Sequence, residues 1–534
     1  MLVTLVAAAC SSTPPTDAER FGGRTVRRTP GAEDASPPIT SNVTTTTAPG
    51  VTTTVKAPYT PKVAPISCPF DRTSANRLKV DCVNVVLPAK RSAPTGSKVY
   101  ISVARIHSTS PTPLPDPVVY LDGGPGGSAI AAIDGWTNPV SPLLANRDLI
   151  LIDQRGTGFS QPRLNCDRTF VESPKGEFDD RVAESKKCVE DLVREKIDPA
   201  DFNTTESAAD IADIRTALKI DSWNLFGISY GTRLGLWIMQ THPEGVRSAV
   251  LDSNYPPGVI KGYEETAVNF NRALEAIFTD CANQPSCRSV YPDLRGALYG
   301  TIDRLNASPL RRVAYDPVAK KEMTLPFTGK EFALEVFSAL YHTEIMPDVP
   351  KAISEAAAGD VSGALDLLYG AGYIERTKDQ DKAKRPRSAR ERPILTEGLN
   401  SAVECAETAP GITDDSIKAA AAGVPPQIAD AVVLMRQRQI DTCPVWNVPA
   451  NPLTEVHSAI PTLVMAGTYD PITPPRWSEI VASWLPSSRL VTVVGSGHSA
   501  YFSGPCAKDL VKKFIDDPAS PSPDCTGTPP EFTH

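Results

Sequence analysis

Short apolar runs that break at glycine recur along the middle of this chain. "VVYLDGG" (118–124) and "RDLILIDQRG" (147–156) each read as a strand buried on both faces and closed by a tight turn, as strands of a parallel sheet do. The period then changes: in "TTESAADIADIRTALKI", Ile211, Ile214 and Leu218 share one face of a helix behind a threonine N-cap. "SWNLFGIS" predicts the next strand, "YGTRLGLWIMQTHP" a helix, and "RSAVLDS" another strand, with "IPTLVMAGTYD" and "SRLVTVVGSGHS" supplying two more near the end. Strands alternating with helices predict an α/β fold with a mostly parallel sheet.

Between Asp252 and about Pro461 the pattern is dominated by helix-like segments such as "AVNFNRALEAIFTDCA" and "GKEFALEVFSALYH". This divides the chain into a first core part over 66–254, a helical insertion over 255–460 on one edge of the sheet, and a second core part over 461–527. Within the insertion, "RTKDQDKAKRPRSARERP" (376–393) is densely charged. It reads as a solvated mobile loop, or alternatively as a lid or a contact with an anionic envelope.

Residues 11–65 hold "TSNVTTTTAPGVTTTVKAPYTPKVAP", which lacks the apolar density for a core and predicts a disordered tether. Before it, "MLVTLVAAACSST" places small alanines ahead of Cys10, as at a lipoprotein cleavage site. The first ten residues lack a basic region and are short for a signal, so the segment is either a signal cut short or a chance match. Setting Cys10 aside for a lipid leaves ten cysteines that fall into sequential pairs. That even remainder predicts five disulfides in an oxidising, extracytoplasmic compartment, with sequential pairing the simplest connectivity. None of the spacings matches a zinc site. A net charge of -8 offers no basic field for nucleic acid, and no other apolar run approaches the length of a membrane span.

The chemistry centres on "GISYG", where Ser229 stands between Gly227 and Gly231. This is the spacing of a nucleophile elbow, a strand-to-helix turn that thrusts the serine hydroxyl clear of the sheet. A serine nucleophile needs a base and an acid to orient it. Of six histidines, His534 is terminal, His107 precedes the central sheet, His242 closes a helix, and His342 and His457 lie in the insertion. His498 alone sits in a glycine-rich turn after a strand. Asp470 ends another strand and gives the chain order Ser229, Asp470, His498 expected of an α/β-hydrolase; Asp252 is the rival acid, otherwise a turn-capping carboxylate. Thr473 would fix the acid's loop by a hydroxyl hydrogen bond. For the oxyanion, the amide of Tyr230 is one donor and that of Gly124, in "LDGGPGG", the best second, since Pro125 has no N–H.

"GGPGG" (123–127), "DQRGTGFS" (153–160), "GISYGTRLG" (227–235), "GTYDPITP" (467–474) and "GSGHS" (495–499) together resemble the proline iminopeptidase and tripeptidyl aminopeptidase family of serine peptidases, above all its secreted, often lipid-anchored actinobacterial members. The similarity runs from about 66 to 527 and implies the α/β-hydrolase fold with a large helical cap. It departs at Asp122, where iminopeptidases usually have His, and at Tyr230, where they favour Trp. An aminopeptidase of this kind needs a cap carboxylate for the substrate's N-terminal ammonium. The resemblance puts Glu407 first and Glu404 next, with Glu264 and Glu265 as rivals.

The expectation is therefore an extracytoplasmic serine hydrolase, lipid-anchored through Cys10, that releases short peptides from free N-termini. It implies a peptide substrate, no metal or organic cofactor, no nucleic-acid partner, and contact with a membrane only through the anchor. An esterase or lipase acting on envelope lipids or small acyl esters is the alternative, and a catalytically silent envelope-binding protein the reading from another class.

Overall fold

The computed structural model describes residues 42–46, 52–56, 59–70, 78–137, 139–166, 181–258, 262–316, 321–369, 395–521 and 524–533. Cys10, the charged stretch 376–393 and most of the expected tether lie outside them.

Strands β1 (Asn42–Thr46) and β2 (Thr52–Lys56) pair antiparallel as a separate hairpin. Their Thr/Val-rich sequences favour extended backbone, so this part of the 11–65 stretch departs from a structureless tether. The main sheet has nine strands. Seven come first in the chain: β3 (Lys62–Ile66), β4 (Val80–Pro88), β5 (Lys98–Ile106), β6 (Val118–Leu121), β7 (Leu149–Ile152), β8 (Trp223–Ile228) and β9 (Val246–Asp252). After the two-stranded hairpin of β10 (Leu310–Asp316) and β11 (Lys321–Phe327) inside the insertion, β12 (Thr462–Gly467) and β13 (Ser488–Val493) complete it.

The order is β13-β12-β9-β8-β6-β7-β5-β4-β3. The run from β13 to β7 is parallel, and β5, β4 and β3 add antiparallel strands at one edge. The ordered sheet thus begins at Lys62, where Lys62 pairs with Val86, four residues before the expected start of the core. Parallel strands need crossovers. Helix α1 (Thr204–Ala217) supplies one, capped by Asn203 rather than by the expected threonine, with Ile211 and Ile214 buried; α2 (Tyr230–Thr241) supplies the next.

The insertion does not hang from an edge, as the sequence suggested. It leaves after β9 and returns at β12, and these two strands are hydrogen-bonded neighbours inside the sheet. Leaving the carboxyl end of β9 and re-entering at the amino end of the parallel β12, it reaches the loops at the carboxyl ends through Thr343, Thr396 and Asn400. Helix α3 (Thr266–Asn283) and α4 (Gly329–Ala339) build a core of their own around Phe270, Phe332 and Phe337, while α5 (Glu397–Glu407) packs Leu399, Ala402 and Val403 into the core beneath the sheet. After β12, α6 (Pro475–Trp484) continues the alternation.

All ten remaining cysteines pair in sequence: Cys68–Cys82, Cys166–Cys188, Cys281–Cys287, Cys405–Cys443 and Cys506–Cys525. The last described residues turn back over the insertion. Phe532 is buried in its core, and Thr533 donates to the Pro347 carbonyl at 2.9 Å. Among the described residues no helix is long and apolar enough to cross a membrane.

Candidate active site

Strand register sets the site. Gly227 lies opposite Leu121, Ile228 opposite Asp252, Asp252 opposite Met465, and Gly467 opposite Val493, so five parallel strands end almost level. The chain runs outward from β6 in both directions, and ligands in such sheets bind where that reversal opens a crevice. The loop after β6 and the turn after β8 meet there.

β8 is buried throughout and stops at Ser229, whose φ of 58° and ψ of -126° place it in a sparsely populated region. That strain is tolerated because the neighbours are glycines: a Cβ on Gly227 would strike the Gly231 carbonyl, and one on Gly231 the Leu121 carbonyl. The Ser229 amide donates to the Asp252 carbonyl at 3.0 Å, and its own carbonyl accepts the Thr232 hydroxyl at 2.6 Å. A Cβ on Gly123 would lie 3.4 Å from Ser229 Oγ, so the serine abuts the "GGPGG" loop.

Tyr230 opens α2, which points its amide out of the helix N-terminus beside the serine; its buried hydroxyl bonds Thr204 Oγ1 at 2.7 Å, away from the site. Gly124 has a φ of 112°, which only glycine adopts readily. The insertion holds this loop from above. Thr396 N donates to the Gly126 carbonyl at 2.8 Å, Asn400 Nδ2 to the Pro125 carbonyl at 3.1 Å, and a Cβ on Gly124 would meet Leu395. From below, Asp122 Oδ1 accepts the Tyr120 hydroxyl at 2.8 Å and the Gly123 amide at 2.9 Å, and burial pushes its pKa up. The "DQRG" motif is structural here. Asp153, raised to about 6 by burial, accepts from Ser128, Ile130 and Phe159, while Arg155 forks onto Asp210 at 2.8 and 2.7 Å.

Asp470 and His498 are brought together across the ends of β12 and β13. His498 Nδ1 lies 2.8 Å from Asp470 Oδ2, which fixes the proton on Nδ1 and leaves Nε2 as the basic nitrogen. Thr473 joins them as the sequence suggested: its hydroxyl donates to Asp470 Oδ2 at 2.6 Å, and its amide, with that of Ile472, to Oδ1 at 2.8 and 2.9 Å. Burial alone would raise the Asp470 pKa, but the His498 charge and these donors hold it below the usual carboxylate value. Asp252, the rival acid, does not bond the imidazole. It accepts the amides of Ala500 and Tyr501 at 2.9 and 2.8 Å and so caps the turn that follows His498.

The carboxylate assigned first to a substrate ammonium is misplaced. The Glu407 side chain is fully buried, and its oxygens accept the Thr204 amide at 2.7 Å, the Thr204 hydroxyl at 2.6 Å and Asn451 Nδ2 at 2.9 Å. It anchors the start of α1 and presents nothing to a ligand. Glu265 is likewise engaged, by Arg476 and by the Trp477 indole at 3.0 Å. Glu264 is buried beside it. Glu404 lies among Tyr255, Tyr263 and Arg233 and accepts a long 3.4 Å bond from the Tyr255 hydroxyl.

Three residues of the insertion that no motif marks also reach the catalytic loops. The Tyr341 ring lies 4.8 Å from the His498 ring, Thr343 Oγ1 accepts the Gly497 amide at 3.0 Å, and Arg272 donates to carbonyls of the acid's turn.

The model of the alpha/beta hydrolase fold family matches residues 116–505, and the chain belongs to that family. Family and site together define a serine hydrolase. Over 460 residues the chain is 24% identical to the serine protease Hip1 of Mycobacterium tuberculosis, covering 81% of this chain and 84% of that protein. It is 26% identical over 306 residues to the tripeptidyl aminopeptidase of Streptomyces lividans, covering 54% of this chain and 55% of the relative. A solved proline iminopeptidase from Mycobacterium smegmatis aligns over 82% of this chain and 98% of its own, with 16% identity and a TM-score of 0.36.

Proposed function

We propose that this protein is an extracytoplasmic serine aminopeptidase that releases short peptides from free N-termini through an acyl-enzyme. The observation that carries the chemistry is the 2.8 Å pair of Asp470 and His498, set at strand ends level with the Ser229 elbow. Ser229 Oγ attacks the scissile carbonyl as its proton passes to His498 Nε2. The amides of Tyr230 and Gly124 hold the oxyanion, and His498 then gives the proton to the departing amine. Water, deprotonated by the same nitrogen, releases the acyl peptide and restores the serine.

Peptides rather than esters are favoured by the serine protease and the tripeptidyl aminopeptidase among the relatives. The insertion stands over the strand ends and would admit a chain end more readily than a folded surface. With Glu407 and Glu265 engaged at shorter distances, the substrate ammonium is assigned to Glu404, which is buried as well but accepts from Tyr255 at a long 3.4 Å. Five disulfides suit an oxidising compartment. We assign Cys10 to the lipid and the 11–65 segment to the tether behind it.

The test is mass spectrometry of a peptide library after incubation, with free and N-acetylated members side by side. The expected result is short N-terminal products from the free peptides only. With p-nitrophenyl esters assayed in parallel, cleavage confined to the esters would establish the esterase reading instead, and equal cleavage of acetylated peptides would remove the aminopeptidase claim.

A further inference from the structure

Helix α3 belongs to the insertion, yet it bonds the segment around the acid at three places. Glu265, at its start, accepts from Arg476 and Trp477 just beyond the loop. Asp280, near its end, accepts the Tyr469 hydroxyl at 2.6 Å. Between them Arg272 donates from Nη1 to the Thr468 carbonyl at 2.7 Å and from Nη2 to the Asp470 carbonyl at 2.5 Å. One planar guanidinium thus spans the backbone on both sides of Tyr469, with its charge held near Asp470. Burial pushes the Arg272 pKa down, and the Asp470 charge opposes that.

The other bonds of the Asp470 carboxylate, to Ile472 and Thr473, are internal to its own loop. They shape the loop without fixing where it stands. Tyr469 N–H donates to the Ser496 carbonyl at 2.8 Å, so a shift of the acid's turn is passed to the turn that carries His498. The sheet ties both turns at their bases, through Thr468 N–H to the Val493 carbonyl at 3.1 Å and the Gly495 amide to Thr468 Oγ1 at 2.8 Å, and Arg272 adds an anchor from outside it.

We propose that Arg272 is a positioning residue for the catalytic acid: by clamping the Thr468 and Asp470 carbonyls, it aims the Asp470 carboxylate at His498 Nδ1 and ties the reactive geometry to the seating of the insertion. This rests on the reading of Asp470 and His498 as acid and base. A guanidinium is suited to the task because its fork meets two acceptors at once, whereas an ammonium is a point donor. An orienting error of about 1 Å costs roughly 100-fold in rate.

The experiment measures kcat and KM on a tripeptide anilide for Arg272→Met, Arg272→Lys and Arg272→Ala, each with its melting temperature, alongside Asp470→Asn. Expected for Arg272→Met is a kcat about 100-fold lower at unchanged KM, with Arg272→Lys intermediate. Added guanidinium should restore activity to Arg272→Ala, where the side chain's volume is vacant. A folded Arg272→Met with the parent kcat would overturn the proposal, as would losses that merely track the unfolded fraction, or a failure of guanidinium to rescue a folded Arg272→Ala. An active Asp470→Asn would sink the underlying assignment and the inference with it. An inactive Asp470→Asn beside a fully active Arg272→Met would sink the inference alone.

Discussion

The Asp252 carboxylate accepts the Ala500 amide at 2.9 Å, and through that bond the strand beside Ser229 holds the turn that presents His498. Two buried aspartates thus serve the same histidine in different ways. Asp470 touches the ring; Asp252 fastens the backbone behind it.

The two should separate cleanly by substitution. Asp470→Asn should lower kcat by about 1,000- to 10,000-fold, as expected when an orienting carboxylate is lost and the tautomer is wrong. Asp252→Asn should cost about tenfold, the worth of one charge-assisted hydrogen bond. Steady-state kinetics on one substrate decides it, and an inverted order would make Asp252 the acid.

Glu407 and Glu404 stand on the same helix and should fail differently. Glu407→Gln leaves a Thr204 donor without its carboxylate and should destabilise the fold by roughly 1–3 kcal/mol, read by urea denaturation, with KM intact in the folded protein. Glu404→Gln should raise KM about tenfold for free N-terminal peptides. If Glu404→Gln left KM unchanged while Glu407→Gln raised it, the assignment of Glu404 to the ammonium would be wrong.

The disulfides should differ in worth with the loops they close. Cys405–Cys443 closes a separation of 38 residues and Cys281–Cys287 one of 6. Chain-entropy arguments give about 4 kcal/mol for the first and about 2 kcal/mol for the second. Double alanine variants compared by calorimetry should show the larger drop in melting temperature for the Cys405–Cys443 pair.

His242, at the end of α2, has a pKa lowered to about 4 by burial and then by the Arg91 charge. In the unfolded chain it titrates near its ordinary 6.5, so the unfolded state takes up a proton first as pH falls. Its contribution is fully present above about 6.5 and is lost on descending to about 4. Discounted for partial exposure, this is about 1–2 kcal/mol. Unfolding free energies of His242→Gln should therefore depend less steeply on pH across that window than those of the parent.

The sequence carried those features that repeat locally. Strands buried on both faces are continuous apolar runs, so β6, β7, β8 and β12 stand out, and residues that must occupy strand-end turns lie within two residues of a glycine, which marks Ser229, Gly124 and His498. What it could not show depends on contacts between distant segments. Glu407 looks like a surface carboxylate until Thr204 and Asn451 are seen to surround it. Arg272 is one arginine in an ordinary amphipathic helix, and only the seating of α3 against the β12 turn gives it a partner. The insertion's point of departure is hidden for the same reason: that β9 and β12 are neighbours is a fact of sheet pairing, with no trace in either strand's composition.

Phe532 completes the hydrophobic interior of the helical insertion although it is made long after the chain has left those helices. When Tyr369 has been added, most helices of that interior have been synthesised, but Ile428, Val432, Met435, Tyr469 and Phe532, which belong to it too, have not. The order of synthesis and the order of assembly therefore disagree. The interior of the insertion is therefore completed only when a segment beyond β13 folds back onto helices that precede it by more than a hundred residues.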